Sequence, residues 1–142
     1  MKQDNPVATG RAALRVPRQV AAIIDGVPQW GGEVLPVLDP YTGESIAERH
    51  ESSAATVAAA VASAERAFRT GLWPQLAVEE RQQVLRRVAD LIERDAAALA
   101  ALECLNTGIP LRQLEVGQIR RSAYNFRFFA DYLGQAAGEA WY

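Results

Sequence analysis

The residue to weigh first for chemistry is the single cysteine, Cys104. A thiolate is a strong nucleophile, but it needs a lowered pKa, from a helix N-terminus or a nearby base. Cys104 instead closes an Ala/Leu-rich run and is followed at once by the breaker segment Asn106-Thr107-Gly108-Ile109-Pro110. That places it near a helix C-terminus, where the negative dipole end disfavours a thiolate. A buried structural cysteine is the better reading, since free cysteine is among the most buried residue types. His50 is the only histidine and stands among Arg49, Glu51 and Ser52 on an expected loop. A metal site or a nucleophilic triad needs partners that the sequence does not arrange around it, so it reads as solvated. No G-x-G-x-x-G or P-loop spacing supplies a phosphate cradle. Glu79 and Glu80 are adjacent and point to different faces, which suits a helix start better than an acid/base pair. No catalytic, cofactor-binding or metal-ligating residue is assigned.

Arg120 and Arg121 differ from the other cations because they fall mid-helix, beside an aromatic face. Arg121 stands three residues before Tyr124 and seven before Phe128, so all three share one face of a helix. An arginine there snorkels, pairs with a carboxylate of the protein, or binds a ligand anion. Spacing alone favours the first two and leaves the third open.

The elements that would position these residues begin with a turn-rich front end. Val20 to Ile24 is an apolar run ending in Asp25-Gly26, a hairpin signal because a type I′ turn needs positive φ at both central residues. A second extended run covers Glu33 to Leu38, the loop Asp39-Pro40-Tyr41-Thr42-Gly43 follows, and Ser45 to Arg49 is a third strand. The rest is helical. Ser52 or Ser53 caps a first helix with the apolar stripe Val57, Val61, Ala64 and Phe68, which Gly71 and Pro74 end. A second helix starts at Glu79 and Glu80 and carries Val84, Leu85, Val88, Leu91 and Ile92, with Arg81, Arg86, Arg87, Glu93 and Arg94 mostly facing water. A third covers Asp95 to Leu105, and the last runs from about Leu111 to Leu133. This last helix has two apolar lines, Ile119, Phe126, Ala130 and Leu133 on one side and Tyr124, Phe128 and Tyr132 on the other. A helix apolar on two sides is usually buried between two partners, yet the sequence supplies helices for one side only.

A chain of 142 residues with 49% hydrophobic composition can build one core. Its net charge of −2 and lack of a basic stripe give no reason to expect nucleic acid. No apolar run approaches the ~20 residues of a membrane helix. One cysteine forms no intrachain disulfide and fits a reducing, cytoplasmic setting. Residues 1–19 read as a disordered extension and no signal peptide is expected there.

The motifs Ile24-Asp25-Gly26, Leu38-Asp39-Pro40-Tyr41-Thr42-Gly43-Glu44, Ala64 to Phe68, Trp73, Arg81, Leu91-Ile92-Glu93-Arg94, Leu102-Glu103 and Thr107-Gly108-Ile109-Pro110 occur in one order. In that order they resemble the opening of the NAD(P)-dependent aldehyde dehydrogenases, over about Val20 to Tyr142. Arg121 followed by Asn125-Phe126-Arg127-Phe128-Phe129-Ala130 is similar to the branch that oxidises muconic-type semialdehydes in aromatic catabolism, the 5-carboxymethyl-2-hydroxymuconate semialdehyde dehydrogenases included.

The resemblance implies an α/β enzyme of which residues 20–142 form the N-terminal part of the NAD(P)-binding and substrate-tunnel domain. This part is mainly α, with a short β-hairpin region ahead of three to four amphipathic helices. It implies NAD or NADP in the parent, a small-molecule aldehyde as substrate and a homo-oligomer. It also implies that the last helix lines the substrate tunnel, with Arg121 holding a substrate carboxylate beside Tyr124 and Phe128. The family's thiol nucleophile, its Asn and its general-base Glu all lie beyond Tyr142 by this reading, and Cys104 is not that thiol. The isolated chain is therefore expected to be inactive, to bind no cofactor and to self-associate through uncovered apolar faces. Asn106 stands where the family often has an Asp that helps hold a structural monovalent cation, and Ile109 replaces a common Lys. A non-enzymatic helical interaction module, or a gene fragment without function, remains the alternative.

Overall fold

The computed structural model describes residues 16–135. The extension expected over 1–19 falls mostly on residues 1–15, outside that range, and so do residues 136–142.

Local chemistry sets the front end. β2 (Ala22–Ile24) and β3 (Val27–Gln29) form an antiparallel hairpin in which Ile24 pairs with Val27. Asp25 has φ 51° and Gly26 φ 77°, the paired positive angles that an Asp-Gly turn provides. β1 (Gln19–Val20) belongs to a different sheet and runs parallel to β5 (Ser45–His50). The run expected from Val20 to Ile24 is therefore two strands, because the parallel partner of β1 lies far along the chain and leaves no local signal. β4 (Val34–Leu38) pairs antiparallel with β5, giving the order β1-β5-β4. Pro36 lacks an N–H and sits on β4, an edge strand, where that loss is tolerated.

The β4–β5 loop is built by Asp39. Its backbone C=O accepts from Gly43 N–H at 2.8 Å and its carboxylate from Tyr41 N–H at 2.9 Å. Gly43 takes φ 72°, which favours glycine.

Helices follow as their caps dictate. α1 (Ala54–Thr70) starts at Ser53, whose Oγ accepts from Thr56 N–H at 3.1 Å, and ends at Gly71. The turn Trp73–Gln75 leads to α2 (Val78–Arg94), where the Glu80 carboxylate accepts from Ala77 N–H at 3.0 Å. α3 (Ala96–Thr107) ends on Gly108 at φ 74°, a left-handed cap whose N–H bonds Cys104 O at 2.9 Å. Pro40 lies against that cap, close enough that a Cβ on Gly108 would stand 3.1 Å from its Cγ. Two turns distant in sequence, the Pro-Tyr-Thr-Gly and Thr-Gly-Ile-Pro loops, thus meet.

The last helix is not one uninterrupted α-helix. A turn at Leu111–Gln113 leads into a π segment, Leu114–Gln118, and only then into α4 (Ile119–Leu133). α4 packs chiefly on α2, and the π segment packs on α3. The core lies between these helices: Ala89, Ala100, Leu105, Leu114, Ala123 and Ala130 are buried. Small residues on α2 and α4 let the two backbones approach, while Leu105 and Leu114 fill the α3 side. The stripe Val57, Val61 and Phe68 of α1, by contrast, is exposed among the described residues, and α1 has no buried residue.

Candidate functional site

The outward face of α4 carries the three candidate residues. Arg121, Tyr124 and Phe128 lie on it together and all three are exposed. Ala123 and Ala130, on the opposite face, are fully buried. The helical period separates the two sets, since Arg121 and Phe128 stand roughly opposite the alanine line and Tyr124 more than a quarter turn from it. Phe128 stacks with Tyr132, centroids 6.3 Å apart at 10°, and meets Phe129 edge to face at 5.3 Å and 80°. The result is an aromatic shelf of Phe128, Phe129 and Tyr132 on the helix that carries Arg121.

Of the three readings open for Arg121, pairing with a protein carboxylate does not occur among the described residues. Its neighbour Arg127 shows the contrast. Arg127 donates to Asp90 at 2.8 Å and to both carboxylate oxygens of Glu93, at 2.5 and 2.8 Å. Hydrogen bonding to Arg127 holds Glu93 below its usual carboxylate range, with smaller help from the charges of Arg127 and Arg120. Hydrogen bonds to Glu93 and Asp90 in turn raise Arg127 above its ordinary value. Arg86 to Asp131 at 2.8 Å and Gln82 Nε2 to Ala130 O at 2.8 Å complete the seam between α2 and α4. Arg86 and Glu93 are exposed, as expected of residues off the apolar stripe, and from there they tie α2 to the last helix. Spacing gave a signal, since Asp90 and Glu93 are one turn apart on α2, but nothing in sequence says which arginine they meet.

A guanidinium without a carboxylate partner among the described residues, with aromatic rings along its helix, can do two things chemically. It can bind a carboxylate through two parallel N–H donors, and the shelf can hold an apolar or conjugated body against ring faces.

The other candidates fall elsewhere. Cys104 is half-buried within α3, near its C-terminal end. Asn106 is exposed on the last turn of the same helix. His50 is corrected: it ends β5, pairs with Val34 and is half-buried rather than on a solvated loop. Its Nδ1 accepts from Gly31 N–H at 3.3 Å and its ring meets Trp30 edge to face at 5.2 Å. Concavities lie on the strand side, one of about 200 Å³ lined by Trp30, Gly31, Gly32, Glu51 and Ser53 among others. Arg121 does not border it.

No group of three or more His, Cys, Asp or Glu positioned to hold a metal occurs among the described residues. The N-terminus of α1 spends its cap on Ser53, and that of α2 carries Glu79 and Glu80, which repel a pyrophosphate. No described helix is long and apolar enough to cross a membrane.

Comparison with known proteins shows the family. The family model described as "Aldehyde dehydrogenase family" matches residues 27–141. The aldehyde dehydrogenase family 2 member B4, mitochondrial, of Arabidopsis thaliana is 39% identical over 107 residues, 75% of this chain and 20% of that protein. The 5-carboxymethyl-2-hydroxymuconate semialdehyde dehydrogenase of Escherichia coli is 34% identical over 118 residues, 83% of this chain and 25% of that protein. Among solved structures, an NAD+ complex of an aldehyde dehydrogenase from Bacillus cereus superposes with a TM-score of 0.81 at 27% identity, over 96% of this chain and 28% of that one. The chain thus spans about a fifth to a quarter of the length of the curated relatives it matches.

Proposed function

Because this chain belongs to the aldehyde dehydrogenase family, we propose that it forms the substrate-side wall of an NAD(P)-dependent enzyme oxidising an aldehyde to its acid. The substrate is a carboxylated semialdehyde of the kind met in aromatic catabolism. Arg121 holds the carboxylate remote from the aldehyde, and Tyr124 and Phe128 flank the carbon chain between them. The observation that carries this reading is an exposed arginine without an ion-pair partner among the described residues, on the same face as two aromatic rings. The E. coli relative, named for a carboxymethylated semialdehyde, supports the substrate class.

In this reading the α2–α4 seam keeps α4 from rotating, so the guanidinium stays in place while the shelf fixes the substrate's long axis. The dinucleotide and the sulfur nucleophile belong to other parts of the enzyme, a cytoplasmic homo-oligomer. A second reading, a non-enzymatic helical module, draws on the same exposed rings of Tyr124, Phe128 and Tyr132.

The test replaces the matching N-terminal quarter of the E. coli relative with this segment and compares Arg121 with Arg121→Ala. The variant should raise KM for a carboxylated semialdehyde at least tenfold, with little change for a neutral aldehyde of similar length. Equal effects on both substrates would remove the carboxylate role.

A further inference from the structure

An unbroken α-helix through Leu111–Leu133 would bury different residues from those that are buried. Val116 precedes Ala123 by about two turns and would share its core-facing side, whereas Leu114 precedes Ala123 by about two and a half turns and would face outward. The structure has the reverse: Leu114 is 0% exposed and Val116 is 66% exposed. The inversion comes from the π segment, where Ile119 N–H bonds Leu114 O instead of the carbonyl one residue later. A π turn absorbs one extra residue, which turns everything upstream by about 100° relative to α4 and so brings Leu114 nearer than Val116 to the direction of Ala123.

We propose that the π turn Leu114–Gln118 is a register device that seats Leu114 beneath α3 while holding the Arg121–Tyr124–Phe128 face outward. Both halves of the helix are anchored separately, which is why neither can rotate to heal the mismatch. Upstream, Leu114 is enclosed and the segment packs on α3. Downstream, Arg127 is held by Asp90 and Glu93, Arg86 binds Asp131, and Gln82 binds the Ala130 carbonyl. With α4 set instead by Leu114 and an unbroken helix, Arg121 would turn by about 100° toward the flank. Gly117 lies within the π turn, and a Cβ there would meet nothing within 4 Å, so its exposed position can take the extra residue without a clash. The importance of the outward face rests on the reading of Arg121 given above; the register itself does not.

Two measurements on the 142-residue chain test the device. In the unaltered chain, NMR scalar coupling across the hydrogen bond should link the Ile119 amide to the Leu114 carbonyl; coupling to Glu115 instead would overturn the proposal. In a Cys104→Ser background, a thiol introduced by Leu114→Cys should resist iodoacetamide, and deleting Gly117 should speed its alkylation at least tenfold. Equal alkylation rates with and without the deletion would equally overturn it. Adding glutarate separates the two ideas: no response of the Arg121 Nε–H resonance, with both register results intact, removes the carboxylate role and leaves the register device standing.

Discussion

Truncating Leu114 to alanine tests the helical core at its most enclosed large side chain. Leu114 is 0% exposed, and the other fully enclosed apolar residues are mostly alanines. Leucine-to-alanine changes in cores cost about 2–5 kcal/mol, according to how far the site can collapse. Residues of α3, on which the π segment packs, such as Ala101 and Cys104, are only half-buried, so the cavity can partly close. The expected cost is therefore about 2–3 kcal/mol, in the lower part of that range. For a chain of this length that is a fall in Tm of about 10 °C. Val116→Ala, on the same π turn but largely exposed, should change stability by no more than about 0.5 kcal/mol. Urea unfolding followed by tryptophan fluorescence gives both values, since Trp30 and Trp73 lie within the described structure. The reasoning is refuted if Val116→Ala costs more than Leu114→Ala, the order an unbroken α-helix requires.

Acid should loosen the α2–α4 seam. Glu93 is held below its ordinary pKa by the hydrogen bond from Arg127, so its contribution is present above the unfolded value of about 4.3 and is lost as pH falls through the lower folded value. Arg127→Gln should flatten that part of the Tm-versus-pH profile; an unchanged acid limb would show the seam contributes nothing. Gly108→Ala should cost about 1–2 kcal/mol, because the residue takes φ 74° and the added Cβ meets Pro40. Thermal unfolding reads it, and a neutral result would mean the Pro40 loop yields. Ser53→Ala removes the α1 cap and should cost about 1 kcal/mol by the same measurement, whereas Ser52→Ala should not.

Local chemistry made much of this fold legible. Asp25-Gly26 specified a hairpin, the pair Ser52-Ser53 a helix start (capped by Ser53), and Gly108 a helix end, since each acts through backbone angles or a bond within a few residues. The pairing of β1 with β5 was not legible, because parallel partners distant in sequence leave no local pattern. His50 was misplaced for a related reason: its environment comes from Trp30 and Gly31, contributed by another segment. The π turn was invisible because its cause is a conflict between two packing surfaces, and Gly117 alone does not announce it. The face joining Arg121, Tyr124 and Phe128 could be read from spacing, as helical period alone sets it. Which arginine meets the acidic pair of α2 could not, because that depends on how two helices cross.

The central claim, that this segment is a working wall of an aldehyde-oxidising enzyme, is tested most directly by NADH formation in the graft onto the E. coli relative. The account predicts NADH absorbance rising with a carboxylated semialdehyde and with NAD present. A graft that is folded and assembled like the relative yet produces no NADH with any aldehyde would contradict it.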